Sequence, residues 1–275
     1  MEIKAADVMK LRQMTQSGMM DCKKALIEAN GDFERAKEIL REKGKVIAAK
    51  RSDRETTEGT VIASVNADKT KATLMCLGCE TDFVANTDGF QALAKDIAEV
   101  AIKEFPADLA ALKAAKIGNL TVDELVMDQT GKSGEKHVIA CYDKIEAPFV
   151  GSYIHFNHKV ATIVGFNKPT TDEMVKEIAM QITAMSPVSI AKEDCPQEVI
   201  DKELKVYREE VAQEGKPEAI AERIVEGKLN KFFKEKTLNE QVLALGDGKE
   251  TVGAYIKRND PELKVVAFRR YSLND

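Results

Sequence analysis

Glu58-Gly-Thr-Val-Ile-Ala-Ser-Val65 followed by Lys71-Ala-Thr-Leu-Met-Cys-Leu77 is a pair of alternating, β-branched runs, and Val150-Gly-Ser-Tyr-Ile-His-Phe156 followed by Val160-Ala-Thr-Ile-Val-Gly-Phe166 repeats it. Each pair reads as two strands joined in a hairpin. Each is followed by a run with helical spacing, Leu93-Ala-Lys-Asp-Ile-Ala-Glu-Val100 in one case and Met174-Val-Lys-Glu-Ile-Ala-Met-Gln-Ile182 in the other. A recurring unit of this size signals an internal duplication. The predicted class is therefore α+β, with two related subdomains built on small antiparallel sheets. From Ala72 to Lys95 is 23 residues, whereas the matching interval from Ala161 to Lys176 is 15, so the first copy carries eight extra residues. They fall at Thr81-Asp-Phe-Val84 and its continuation. A connection there is ordinarily small and polar, yet Phe83 and Val84 stand beside Asp82. Phe83 either folds back into the local core or projects into a partner, since loops carry function on a rigid scaffold. An insertion in only one copy of a duplicated unit favours projection.

Upstream, residues 1–53 read as a three-helix bundle. Val8, Leu11, Arg12 and Met14 give the spacing of a first helix that ends near Thr15. Asp21 is a candidate N-cap for a second helix from Cys22 to Ala29, which Asn30-Gly31 stops. Asp32 then caps a third, with Phe33, Ala36, Ile39 and Leu40 on one face, ending at Gly44. Met19 and Met20 are adjacent, so they cannot both face one core stripe, and at least one is available to a partner. Lys45 to Thr57 mixes both charge signs, which suits a solvated linker better than a nucleic-acid arm.

The first subdomain is expected over 56–138 and the second over 139–275. Within the second, Gln197 to Glu214 and Glu218 to Phe233 are helical in pattern, with Gly215-Lys-Pro217 between them. Leu204, Tyr207 and Val211 on one arm and Ile220, Ile224 and Val225 on the other predict an antiparallel helical hairpin over about 197–233, either projecting or lying on its own domain. Thr251-Val-Gly-Ala-Tyr-Ile256, a hairpin-like turn at Asn259-Asp-Pro261 and a strand from Leu263 to Tyr271 are expected to close the second sheet.

At 44% hydrophobic and 32% charged residues, the chain has the balance of a globular protein. Its net charge of −5 gives no global positive field to draw it to nucleic acid or an anionic membrane. No apolar run approaches a membrane span, and the N-terminus lacks the pattern of a signal peptide. Five scattered cysteines, at 22, 76, 79, 141 and 195, argue for a reducing compartment, with the cytoplasm as the default.

Motifs for independent chemistry are weak. Cys76-Leu-Gly-Cys79 lacks a second pair for zinc, and Cys76 lies in a strand pattern, where a redox pair should open a helix. His155 and His158 lack a nearby third ligand. Thr130-Gly-Lys-Ser-Gly134 resembles the tail of a phosphate-binding loop, but Val126 stands where the first glycine is required and a strand-like run follows. An enzyme with its own active site is therefore not expected, nor is a cofactor or a metal site.

Leu11-Arg12, Thr15, Gly18-Met-Met-Asp-Cys-Lys-Lys-Ala-Leu26, Gly31-Asp32 and Leu40-Arg41, together with Cys79 through Ala85, resemble the bacterial elongation factor Ts family. Weaker similarity continues through Gly151-Ser-Tyr-Ile-His155 and the helix from Lys176 to Ala184. The resemblance implies a ubiquitin-associated-like N-terminal bundle and a guanine-nucleotide exchange factor that acts on GDP-bound elongation factor Tu. It implies that Leu11, Arg12, Met19 and Met20 contact the partner's nucleotide-binding domain. Thr81, Asp82, Phe83 and Val84 match the segment that dislodges the partner's Mg²⁺, with Phe83 as the apolar wedge and Asp82 fixing geometry or competing electrostatically. His155 matches a partner-facing position of the second subdomain, and the 197–233 hairpin resembles the family's coiled-coil projection. A homodimer, or a heterotetramer with elongation factor Tu, is compatible with it. Some members carry a further C-terminal helical module; the chain stops at Asp275, just after the expected last strand, so that module is not expected here. Gln16 also stands where the family usually has glycine. The rival expectation, drawn from the bundle alone, is an adaptor that binds ubiquitin-like proteins without exchange activity.

Overall fold

Three helices open the computed structural model, which describes residues 3–15, 17–213, 217–246 and 248–274. They are α1 (Ala5–Thr15), α2 (Met19–Glu28) and α3 (Phe33–Lys50). Val8, Leu11, Cys22, Ala25, Leu26, Ala36 and Leu40 form their common core. Asn30 and Gly31 take positive φ of 52° and 87°, which ends α2, and the Asp32 carboxylate accepts from the backbone N–H groups of Glu34 and Arg35 at the start of α3. Asp21 is not the N-cap of α2. Gly18 holds that place, and Asp21 sits in the first turn, ion-paired with Lys43 at 2.5 Å and favourably placed against the helix dipole. Gln16, Gly215 and Lys216, singled out in the sequence, lie outside the described residues.

The first repeat comprises β1 (Glu58–Val65), β2 (Lys71–Cys79), a single helical turn α4 (Asp82–Ala85) and α5 (Asp88–Glu104). After it come α6 (Leu109–Ala114), the two-residue strands β3 (Lys116–Ile117) and β4 (Leu120–Thr121), α7 (Val122–Ser133) and β5 (Val138–Glu146). The sheet runs β1-β2-β5, all antiparallel. Because β5 pairs with β2 from Gly78↔Val138 to Lys71↔Glu146, this sheet extends past the boundary expected near 138.

The second repeat comprises β6 (Phe149–Ile154), β7 (Val160–Phe166) and α8 (Asp172–Met185). It continues through α9 (Gln197–Gln213), α10 (Glu218–Lys236), α11 (Val252–Asn259) and β8 (Val265–Ser272). Its sheet runs β6-β7-β8, so the duplication includes a late third strand beside each middle strand. Beyond Thr251 the segment to Ile256 is helix and not strand. The Thr251 hydroxyl caps it by accepting from Ala254 N at 3.2 Å, and Val252 and Ile256 bury one helical face against α8. Val211 and Val225 are buried in the α9–α10 hairpin, whereas Ile220 is exposed.

The two sheets pack face to face. Leu74 and Cys76 of β2 meet Ala161 and Ile163 of β7 in the layer between them. The alternate residues Met75, Leu77 and Cys79 point the other way, onto Phe90, Leu93 and Ile97 of α5. Burial on both faces is why β2 and β7 read as unbroken apolar runs.

α3 continues six residues beyond Gly44, and α7 explains why. A Cβ at residue 44 would stand 2.6 Å from the carbonyl oxygen of Met127 and 3.2 Å from Gly131 N, so glycine permits a backbone-to-backbone crossing in mid-helix. Arg41 locks it with a two-toothed contact to Asp128, at 2.8 and 3.3 Å, and a third bond to Glu124 at 3.4 Å. Lys45 to Lys50 is thus helix, and the charged linker expected from Lys45 shrinks to 51–57.

Candidate functional site

Eight residues separate β2 from α5, and α4 occupies their centre. Thr81 caps this turn, its hydroxyl oxygen accepting from Val84 N at 3.4 Å, and Asp82 Oδ1 accepts from Phe83 N at 2.9 Å. The far end is tied by Asn86 Nδ2 to Asp82 O, Thr87 Oγ1 to Val84 O and Gln91 Nε2 to Ala85 O, at 2.8–2.9 Å. Val84 and Ala85 turn back onto the first core, so they are not part of an apolar tip. Phe83 alone projects, 83% exposed, with Asp82 exposed beside it. A large ring held in water on a hydrogen-bonded turn costs solvation and gains nothing within the fold, as a contact residue does.

Beneath the turn lies a set of charged side chains that the sequence did not disclose. Glu135, in the connection from α7 to β5, accepts from Thr81 N at 3.1 Å and from the Thr81 hydroxyl at 2.7 Å. Glu80 accepts from Lys136 N at 2.7 Å and from Arg51, just past α3, at 2.6 Å. Burial opposes ionisation of Glu80, but these donors outweigh it and hold its carboxyl below the usual range. Lys136 Nζ donates to the carbonyls of Ser52 and Arg54 at 2.7 and 3.0 Å.

His155 lies in the turn between β6 and β7, half-buried, its Nδ1 3.2 Å from the Tyr153 hydroxyl. Its ring stands 4.5 Å from that of Phe156, centroid to centroid. Phe156 was not singled out in the sequence, yet it is as exposed as Phe83, at 83%. Its signal was a large apolar residue at the end of the run that becomes β6, just where Asn157-His158 turns the chain. The turn is seated on β1: Val61 N donates to His158 O at 2.8 Å, and Lys159 pairs with Glu58 at 2.8 Å. α4 packs on β1 as well, so the two projecting rings rise from elements that share one strand.

On the bundle, Arg12, Met19 and Met20 are exposed, as are Met9, Met14 and Ile27, so α1 and α2 present adaptable thioethers among their charged side chains. Leu11 differs from its neighbours: it is 0% exposed at the centre of the bundle core and supports the surface from within.

The remaining motifs pack. Burial pushes the thiols of Cys76, Cys79 and Cys141 up to about 12, with Glu135 adding to the effect at Cys79 and Asp143 at Cys141, the reverse of an activated thiolate. Among the described residues no group of three or more His, Cys, Asp or Glu side chains is gathered for a metal, and no helix is long and apolar enough to cross a membrane.

Comparison with known proteins settles the lineage. The family described as Elongation factor TS matches residues 80–275. The chain is 46% identical over 274 residues to Elongation factor Ts of Christiangramia forsetii, covering 99% of both chains. It is 44% identical over 273 residues to that of Amoebophilus asiaticus, covering 98% of both. The chain belongs to the elongation factor Ts family. Aquifex aeolicus Elongation factor Ts is 38% identical over 286 residues, with 99% of this chain and 98% of the relative covered. The elongation factor Ts match thus opens at Glu80, on the threshold of α4, and takes in the Phe156 turn and the α9–α10 hairpin. The bundle precedes that match but falls within the near-full-length alignments to the relatives.

Proposed function

We propose that this chain is a guanine-nucleotide exchange factor that binds GDP-bound elongation factor Tu, displaces the Mg²⁺ beside the nucleotide and promotes GDP release during translation elongation. The observation that carries this is Phe83, exposed on a rigid turn in a chain of the elongation factor Ts family. A GTPase holds GDP through Mg²⁺ and backbone donors around the phosphates, so displacing either lowers affinity. By linkage, the factor that weakens GDP is itself weakened equally by GDP. Driving such an equilibrium from one side to the other takes about 5 kcal/mol of differential binding, and one buried aromatic supplies about 2–3 kcal/mol. The wedge therefore works with anchors: Arg12, Met19 and Met20 on the bundle, and His155 with Phe156 on the second repeat. Thr81 and Val84 hold the turn, and Asp82 sets its geometry or competes for charge.

The chain has no reaction centre of its own in this proposal; it acts in the cytoplasm, on the nucleotide site of its partner. The partner is elongation factor Tu, GDP-bound and then nucleotide-free, with no nucleic acid or membrane engaged. The α9–α10 hairpin is the element offered for self-association, in a homodimer or a heterotetramer with the partner. Stopped-flow release of fluorescent GDP from the same organism's elongation factor Tu tests the proposal. Strong acceleration that is saturable in this chain is the expected result. No acceleration from an active partner sinks it and returns the adaptor for ubiquitin-like proteins.

A further inference from the structure

Glu135 lies 54 residues from Thr81 in sequence, outside the eight-residue insertion, yet it makes both of the long-range hydrogen bonds that reach Thr81 from the α7–β5 connection. We propose that Glu135 is a positioning residue for exchange, fixing the turn that presents Phe83; this rests on the exchange function proposed above. Two features of the geometry carry it.

The first is the match of donors to acceptors. Thr81 offers two donors, its backbone N–H and its hydroxyl, and each meets a different oxygen of Glu135, at 3.1 and 2.7 Å. An ionised carboxylate is acceptor-only and satisfies both at once. With its proton committed to Glu135, the Thr81 hydroxyl turns a lone pair toward Val84 N, 3.4 Å away, which is the cap of α4. Glu135 therefore sets the rotor that caps the turn, although it does not touch Phe83.

The second is how Glu135 is itself held. Its backbone N donates to Ser133 Oγ at 3.0 Å, just past the glycine crossing that joins α7 to α3. The next residue, Lys136, binds Glu80 through its N–H and the 52–54 segment through its ammonium. The connection that carries Glu135 is thus fastened to the bundle side of the molecule, and the turn takes its placement from there. Local hydrogen bonds within 81–91 shape the turn, and these contacts tie it to the connection that follows α7.

The test uses Glu135→Gln, Phe83→Ala and the double variant in the full chain. The amide of Glu135→Gln has one acceptor, so one Thr81 donor faces an NH₂ group. The maximal rate of GDP release is expected to fall about 10- to 30-fold, the loss typical of one charge-assisted hydrogen bond. The half-saturating concentration should shift less than twofold, because the anchoring surfaces are untouched. In the Phe83→Ala background the same substitution should add almost nothing, since Glu135 acts through that ring. A full additional loss in the double variant, or a wild-type maximal rate in Glu135→Gln, overturns the proposal. Amide hydrogen exchange of Val84 and Ala85 in the free chain reads positioning without the partner. It should quicken on the order of tenfold in Glu135→Gln, and unchanged protection overturns the proposal even if the wild-type chain released no GDP at all.

Discussion

Replacing Phe83 by alanine separates contact from core more cleanly than any other single change. The ring is 83% exposed, so its loss opens no cavity, and folding stability should move by no more than about 0.5 kcal/mol. Nearly all of its apolar surface is available for burial on a partner, where an aromatic contributes about 2–3 kcal/mol. That corresponds to a loss on the order of 30- to 150-fold in the apparent second-order constant for GDP release. The control is Leu11→Ala. Leu11 is fully buried, so truncation should cost the bundle about 2–5 kcal/mol. Exchange should then fall because the thioether surface loses its support. Leu11→Ile keeps the volume and should restore exchange. Thermal melting and stopped-flow GDP release on the three variants decide the matter. An unchanged release constant in Phe83→Ala, with the variant folded, would refute the wedge. Loss of exchange in a stably folded Leu11→Ile would show that Leu11 meets the partner directly, against its burial.

Phe156→Ala should weaken half-saturation of exchange about 10-fold or more and leave melting unchanged, by the same area argument; titration against elongation factor Tu checks it. Gly44→Ala forces a methyl group to 2.6 Å from a backbone oxygen, so the α3–α7 crossing should loosen by about 1–3 kcal/mol, read as faster proteolysis in 51–57. Cys76, Cys79 and Cys141, with thiols raised to about 12, should resist maleimide at pH 8 until the chain unfolds. Since the unfolded thiols ionise first, near pH 9, stability should decline from there toward pH 12, as alkaline melting curves would record. His137 should make the first repeat acid-sensitive. Burial lowers its pKa, its Nδ1 is bonded to Glu135 O at 2.9 Å, and its buried Nε2 has no partner among the described residues. The folded state therefore binds fewer protons than the unfolded one, and stability should fall as pH drops below about 6.5; His137→Gln should flatten that slope.

The repeat was legible because its hairpins and helices are local patterns: β-branched alternation, then apolar residues three and four apart. The exposed turn was legible as a difference between the copies. What is not legible depends on contacts distant in sequence. Thr251 to Ile256 looks like a strand by its β-branched residues, and only burial of Val252 and Ile256 four apart against α8 shows the helix. Within residues 109–134 the local pattern offers only the Thr130–Gly134 fragment, which lacks the first glycine of a phosphate-binding loop. The glycine of that fragment, Gly131, faces Gly44, and no spacing rule links two glycines 87 positions apart. Leu11 looked like a contact by resemblance, while its helical spacing with Val8 already pointed inward. Glu135 carried no local signal, because an isolated carboxylate after a helix ordinarily faces water.

The meeting of Gly44 and Gly131 has a consequence for how the molecule can be divided. Most domain junctions are joined by a tether and can be cut there with little harm. Here two helical backbones touch without side chains between them, so each is the other's missing surface. Cutting within 51–57 would sever the tether yet leave the pieces mated, whereas expressing residues from 58 onward would expose the strip of α7 that α3 covers. A graft that moves the bundle must therefore carry α7 with it, because the two helices share one packed seam.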